Sequence, residues 1–281
     1  MREITVYTHQ RPAETRQTLE LLAERAELAD YRLRLSREES EKHDLPAGPH
    51  VERDALFKRD VALCVVLGGD GTILRALQEY ASTGVPVFAI NFGEIGFLAS
   101  VERSETRAGI DRALRGDFEL LRLPGIVVEL DGERRTAIND VAVHRKVGER
   151  VAELAYSLDG EEAGSVRCDG LVVATPAGST GYNLANGGPV MAWGVEGFVV
   201  SFIAPHSMSA RALVVAPDDR LSVHNNSREP LDVAIDGRPV GEIPAGEAIA
   251  ASFLSECATL AQLPGTSFYR RLRDKFGRLA S

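Results

Sequence analysis

Residues 61–72 read Val61-Ala62-Leu63-Cys64-Val65-Val66-Leu67-Gly68-Gly69-Asp70-Gly71-Thr72, and this stretch decides what fold the first part of the chain can adopt. A continuous apolar run that empties into glycines is a strand buried on both faces, the habit of a parallel sheet covered by helices. The glycines let backbone N–H groups approach an anion closely, because no Cβ stands in the way. Thr72 then opens a helix-like segment, Ile73 to Tyr80, whose positive end faces the same anion. The odd member is Asp70. A carboxylate among phosphate-cradling amides is repelled by phosphate unless a divalent cation lies between them or the carboxylate has chemical work to do. The stretch therefore predicts a phosphoryl-transfer site with Asp70 as its base or metal contact.

Working outward, the first third of the chain alternates strand and helix. Ile4–Tyr7 reads as a short strand, and Pro12–Leu28 carries Leu19, Leu22, Ala23 and Ala26 at helical spacing, with Pro12 suited to a first turn. Tyr31–Leu35 alternates, Val85–Ile90 is a second continuous apolar run, and Thr106–Leu114 fits a last helix. Residues 38–60 are polar and read as an excursion from the sheet. After about residue 117 the rhythm changes to short strands separated by Asp131-Gly132, Asp159-Gly160 and Asp236-Gly237, each a hairpin signal. Arg134–His144 reads there as one strand and Ala258–Leu263 as the last of the series. The predicted architecture is an α/β, Rossmann-like domain with a mostly parallel sheet over 1–117. A mainly β, sandwich-like domain follows over 118–265, and a basic helical tail over 266–281 docks back on the first domain.

Composition narrows the function classes. The 281 residues are 44% hydrophobic and 26% charged with a net charge of −9, so the chain has material for real cores and lacks the basic footprint of a nucleic-acid binder. A polyphosphate ligand must then be met by local arginine, amide or metal charge. Cys64, Cys168 and Cys257 are far apart and odd in number, with no metal-binding spacing, which argues against a disulfide framework or structural zinc. Met1–Thr5 carries no hydrophobic signal core and no apolar run approaches a membrane span, so the expectation is cytoplasmic residence without a membrane partner.

A second glycine- and hydroxyl-rich loop follows: Thr175-Pro176-Ala177-Gly178-Ser179-Thr180-Gly181-Tyr182-Asn183, then Gly187-Gly188-Pro189. Its hydroxyls and amides offer several partners to a ribose or phosphate. Four further segments accompany it: Asn91–Leu98, Asn139–Val143, Ala204–Arg211 and Ile235–Gly237. With Gly68–Thr72 and Cys168–Tyr182, this ordered set of six resembles the NAD kinase family along nearly the whole chain.

The resemblance implies phosphorylation of the adenosine 2′-hydroxyl of NAD by ATP or polyphosphate, with Mg²⁺, giving NADP. It implies Asp70 as the catalytic residue and a contact of NAD, with Gly68, Gly69, Gly71 and Thr72 on the donor phosphates and Gly71 also toward NAD. Phe97 would pack on the adenine, and Asn139 and Asp140 would bind the ribose hydroxyls and the carboxamide end of a dinucleotide. Asp169 would contact the nicotinamide side, Thr180, Gly181, Tyr182 and Asn183 would line adenine and ribose, and Asp236 would lie near the reactive ribose. Arg167 would meet a phosphate or a neighbouring subunit, since the family is usually a homodimer or homotetramer. The chain departs from the family pattern at Asp140, where glutamate is usual, at Cys168, where glycine is common, and at Gly181, where alanine is common. The residues independently support a base, because a sugar hydroxyl is a poor nucleophile near neutral pH. His206, after Pro205, reads as a hydrogen-bonded structural residue. Two rivals share the first motif or the pocket: a lipid or diacylglycerol-type kinase, which calls for an apolar acceptor site, and a non-catalytic NADP(H)-binding sensor.

Overall fold

The computed structural model describes residues 1–93 and 96–277. Glu94 and Ile95 of the Asn91–Leu98 motif, and residues 278–281 of the expected tail, lie outside the described residues. The chain forms two compact units, Met1–Arg122 together with the chain from Ala258 onward, and Leu123–Cys257.

Unit 1 begins with β1 (Arg2–Thr8), α1 (Pro12–Leu28), β2 (Tyr31–Arg34), α2 (Arg37–Lys42), β3 (Val51–Glu52), β4 (Leu63–Gly68), α3 (Asp70–Glu79), β5 (Pro86–Asn91) and α4 (Thr106–Arg115). The strands pair in parallel in the order β5-β4-β1-β2-β3. Every residue of β4 is buried, as a strand covered on both faces must be. Ile4, Val6, Leu33, Leu63, Val65 and Phe88 of the sheet pack with Leu19 and Leu22 of α1 and Ile110 of α4 into one core. Pro12 occupies the first turn of α1, where its missing N–H has no intrahelical partner to lose.

Two local expectations change. Residues 38–60 are built into the unit: Ser36 caps α2 by accepting from the Glu39 N–H, Arg34 bridges Glu3 and Glu52 at 3.1 and 3.0 Å, and the Leu35 N–H donates to the Glu52 carbonyl. Their polarity reflects ion pairs, which hydropathy cannot see. The helix after the glycines begins at Asp70, two residues before Thr72, because the Gly69 carbonyl already accepts from the Thr72 and Ile73 N–H groups.

Unit 2 contains most of β6 (Glu119–Leu130), then β7 (Glu133–Ala137), β8 (Asp140–Arg145), β9 (Ala152–Leu158), β10 (Glu161–Cys168), β11 (Gly170–Ala174), α5 (Tyr182–Ala185), β12 (Phe198–Ile203), β13 (Leu213–Val215), β14 (Leu221–Asn225), β15 (Leu231–Ile235), β16 (Arg238–Ile243) and the first part of β17 (Ala248–Gln262). One antiparallel sheet runs β13-β12-β11-β8-β15-β16, and a second runs β10-β9-β14-β17. Leu154, Leu221 and Val223 from the second pack against Val143, Leu171, Val173 and Phe198 from the first. This is the sandwich-like, mainly β architecture. At Asp131-Gly132, Asp159-Gly160 and Asp236-Gly237 both residues have positive φ, between 48° and 83°, as a two-residue turn between twisted strands requires.

The stretch Arg134–His144 is two strands. The chain breaks at Ile138-Asn139, so that β7 pairs with β6 while β8 joins the β11–β15 sheet. The end of β17 also differs from expectation: Thr259–Ala261 pairs in parallel with Pro86–Phe88 and so belongs to unit 1. Burial there is continuous over 257–262, as in a strand covered on both faces, and the partner strand fixes the unit. The last element, α6 (Phe268–Phe276), buries Leu272 and sets Phe276 with its ring centroid 5.2 Å from that of Phe97 in unit 1. Among the described residues no helix is long and apolar enough to cross a membrane.

Candidate active site

In unit 1 the site is assembled where β4 meets α3. The β4 backbone is fixed by parallel ladders on both sides, so Gly68 and Gly69 emerge at a set position. Gly69 also runs close under Gly93: a Cβ built on Gly93 would lie 2.9 Å from the Gly69 Cα, so two chain segments cross where only glycine fits. Asp70 is the first helical residue of α3, half-buried, with Gly71 exposed beside it. Its Oδ2 accepts from the Phe97 N–H at 2.8 Å and its Oδ1 from the Leu98 N–H at 3.1 Å. The two motifs quoted from the sequence are thus joined by hydrogen bonds through Asp70. Burial pushes the Asp70 carboxyl above the usual carboxylate range, while the two amides and the cations Arg271 and Lys275 of α6 act against that rise. Asn91 orients the same loop, accepting from the Gly93 N–H and donating to Glu102.

Phe97 is buried, and its ring packs against Phe276 rather than standing open. Arg271 donates to the Phe97 carbonyl. Neither Arg271 nor Lys275 stands out in the sequence, where the tail reads as docking surface. The available signal is their spacing of four, which puts both on one helical face.

In unit 2, Asp236 gathers Asn139 and Asp140. Its Oδ1 accepts from the Asn139 and Asp140 N–H groups at 2.7 and 3.0 Å, and its Oδ2 accepts from Ile138 at 3.0 Å. The geometry makes Asp236 the clamp that breaks the β7–β8 stretch and starts β8. Asp140 is buried beside it, and burial first, then the Asp236 charge, pushes its carboxyl up to about 7. The Asn139 Oδ1 is buried without a hydrogen-bond partner among the described residues, an acceptor aimed where a donor is missing.

The second loop is wedged onto the same corner. The Thr175 N–H donates to the Asn139 carbonyl and the Thr175 hydroxyl to the Ile138 carbonyl. A Cβ on Gly178 would sit 2.0 Å from the Asn139 carbonyl oxygen. The hydroxyls therefore divide: Thr175 and Ser179 are buried and spent on backbone partners, with Ser179 bridging Pro176 and Met191, while Thr180 is half-buried. Asn183 is fully buried, its Nδ2 clamping the Ser179 and Pro189 carbonyls and its Oδ1 without a partner among the described residues. Gly181 and Tyr182 are exposed, and Tyr182 stacks on His144 at 5.5 Å, a contact with no sequence signature.

Asp169 accepts from the Arg145 Nε at 2.6 Å, which holds its carboxyl below the usual range. The Arg167 side chain is exposed, and its carbonyl accepts from the His206 N–H. His206 is itself exposed, so its backbone carries the structural bond while its ring faces water. Among the described residues no group of three or more His, Cys, Asp or Glu could hold a metal ion by itself.

The family model for the ATP-NAD kinase N-terminal domain matches residues 7–118, and that for the C-terminal domain matches residues 138–255. The NAD kinase of Gemmatimonas aurantiaca is 36% identical over 222 residues, covering 76% of this chain and 76% of that protein. A protein named NAD kinase 2 from Streptomyces avermitilis is 35% identical over 251 residues, covering 85% and 82%. Among solved structures, yeast NADH kinase complexed with NADH matches with a TM-score of 0.88 over 100% of this chain and 89% of that one, and at 21% identity this bears on the fold alone. The NAD kinase from Archaeoglobus fulgidus in complex with ATP matches with a TM-score of 0.74 at 26% identity, over 99% and 98%. This chain belongs to the NAD kinase family.

Proposed function

We propose that this chain transfers the terminal phosphoryl group of ATP, or of inorganic polyphosphate, to the adenosine 2′-hydroxyl of NAD, giving NADP. The observation that carries this reading is Asp70: a carboxylate with a raised pKa, on the first turn of a helix behind two glycines, with an amide on each oxygen. Such a group is more basic than a solvated carboxylate and is held in one orientation. Asp70 takes the proton of the 2′-hydroxyl as the ribose oxygen bonds to the γ-phosphorus. The bond to the β–γ bridging oxygen breaks, and ADP leaves.

Gly68, Gly69, Gly71 and Thr72 present the open start of α3 to the donor phosphates. Phe97 is the adenine contact of unit 1. On unit 2, Asn139 offers its unpaired Oδ1 to a ribose hydroxyl or a carboxamide, and Asp140, largely protonated below about pH 7, can donate as well as accept. Gly181 and Tyr182 are the accessible members of the second loop. Thr180 stands at its edge, and Asn183 acts by holding its shape. Asp169 and Arg167 take the nicotinamide and phosphate roles, and Asp236 supports the ribose contact through the backbone it clamps.

Magnesium fits this chain as an ion carried by the nucleotide, since Mg²⁺ retains waters and substrate phosphate oxygens and needs no protein cage. It supplies charge neutralisation on the transferring group. The protein is further read as a cytoplasmic homo-oligomer, a dimer or tetramer. The edge strand β13, with Leu213 and Val214 exposed, is compatible with subunit contact.

The test is a donor-by-acceptor assay, ATP or polyphosphate against NAD or NADH, with Mg²⁺. Formation of NADP or NADPH supports the reading, and no phosphorylated product with either donor overturns it.

A further inference from the structure

The C-terminal helix reaches the candidate base through a single peptide group. Arg271 Nη1 donates to the Phe97 carbonyl, and the N–H at the other end of that same peptide unit, on Leu98, donates to Asp70 Oδ1 at 3.1 Å. A guanidinium and a carboxylate thus sit on opposite ends of one polarisable amide. A cation at the carbonyl oxygen draws electron density across the peptide and makes its N–H a stronger donor, so the two bonds reinforce each other.

Of the four basic residues of α6, Arg270 and Arg273 are exposed, whereas Arg271 is half-buried. Burial pulls the Arg271 guanidinium down to about 10, and attraction from Asp70 and Glu102 acts against that fall, so it remains a cation at neutral pH. Among the described residues of unit 1, the charges facing this group are Lys275 of α6 and Glu102, whose carboxylate lies 3.8 Å from Lys275 Nζ and accepts from Asn91. A surface helix with solvated charges would leave Arg271 free of the loop that holds the base.

Building on the phosphotransfer reading above, we propose that Arg271 is a positioning residue for that reaction, acting through the Phe97–Leu98 peptide to orient the Asp70 carboxylate and hold it ionised. Its effect falls on turnover and leaves substrate affinity in place, because what it fixes is the group that moves the proton.

The full-length protein is compared with Arg271→Met, which keeps the apolar stem, Arg271→Lys, and the solvent-facing control Arg273→Met. Arg271→Met is expected to lower kcat by about 10²-fold with KM for NAD and ATP within about threefold. It should also move the acid limb of the kcat–pH profile up by about one pH unit. Arg271→Lys recovers part of both effects, and Arg273→Met matches the native enzyme. An unmoved acid limb, or a kcat loss accompanied by an equal rise in KM, overturns the proposal. If the native protein makes no phosphorylated dinucleotide, the functional reading fails on its own. The action of Arg271 on the base is then read by a ¹³C carboxyl titration of Asp70, which Arg271→Met must shift upward if Arg271 holds that carboxylate ionised and leave in place if it does not.

Discussion

Both units place an aspartate by giving it backbone amides from a distant segment, yet the two carboxylates are put to opposite use. Asp70 collects two amides from residues 27 and 28 positions away, and Asp236 collects three from residues 96 to 98 positions away. Around Asp70 the structure adds cations, Arg271 and Lys275. Next to Asp236 it adds another carboxylate, Asp140, whose carboxyl is raised by burial and then by the Asp236 charge. The first arrangement sets cations beside a carboxyl raised by burial. The second turns one carboxylate on three amides as a clamp and leaves its neighbour with a carboxyl raised to about 7.

The sharpest way to break this contrast is Asp70→Asn, which preserves the shape of the acceptor and removes the proton-accepting charge. The expected loss is about 10²–10⁴-fold in kcat, with NAD still bound in a direct titration. A variant that turns over at the native rate ends the base assignment. Because burial raises the Asp70 carboxyl, the native rate should climb with pH through a value above the ordinary carboxylate range of about 4. Protonation below that value removes the base, so activity is lost as pH falls. A flat rate down to about pH 4 contradicts this.

Asp236→Ala comes next in size. It leaves the N–H groups of residues 138–140 without their acceptor, at a cost to unit 2 of about 2–4 kcal/mol. Trp193, the only tryptophan, is buried in unit 2 and reports its unfolding in urea. A change under about 0.5 kcal/mol would mean that the clamp is dispensable.

Asp140→Asn sharpens the comparison through pH. The native Asp140 carboxyl, raised to about 7 by burial and by Asp236, exceeds the unfolded value of about 4. The folded state therefore binds the extra proton between those values, and the associated stability is complete at low pH and lost as pH rises through 7. The asparagine variant cannot ionise, so its melting temperature relative to the native protein should rise steadily from about pH 4 to pH 7 and level off above that. A gap that stays constant with pH removes Asp140 as the titrating group.

The smallest effect is expected of Asp140→Glu, which restores the side chain the family usually carries and should leave KM for NAD within about threefold. A large rise would show that the short acid is fitted to its buried corner beside Asp236.

The chain's patterning made much of this legible. Apolar runs between helical stretches marked the parallel sheet, Asp-Gly pairs marked three hairpins, and glycines around Asp70 marked a closely packed turn, because strand burial, positive φ and close backbone approach each demand particular residue types. Asp70, Asn139 and Asp140 stood out from motif alone, and the structure sets each in a polar, at least half-buried position. Hydroxyl count misled at Thr175 and Ser179, whose oxygens serve the loop, since a sequence does not say whether a donor points outward or back into its own turn.

What only the tertiary structure decided is partnership. Residues 258–263 read as one more strand of the β-rich series, and their pairing with Pro86–Phe88 places them in unit 1, where residues 258–262 are buried without a break. A basic tail reads as docking surface without a named partner until Arg271 is seen on the Phe97 carbonyl, 174 residues away in sequence. Local residue type fixes turns, strands and which carboxylate stands at the glycine turn. The charge that group carries, and the direction in which it points, depend on desolvation and on neighbours brought in from distant parts of the chain.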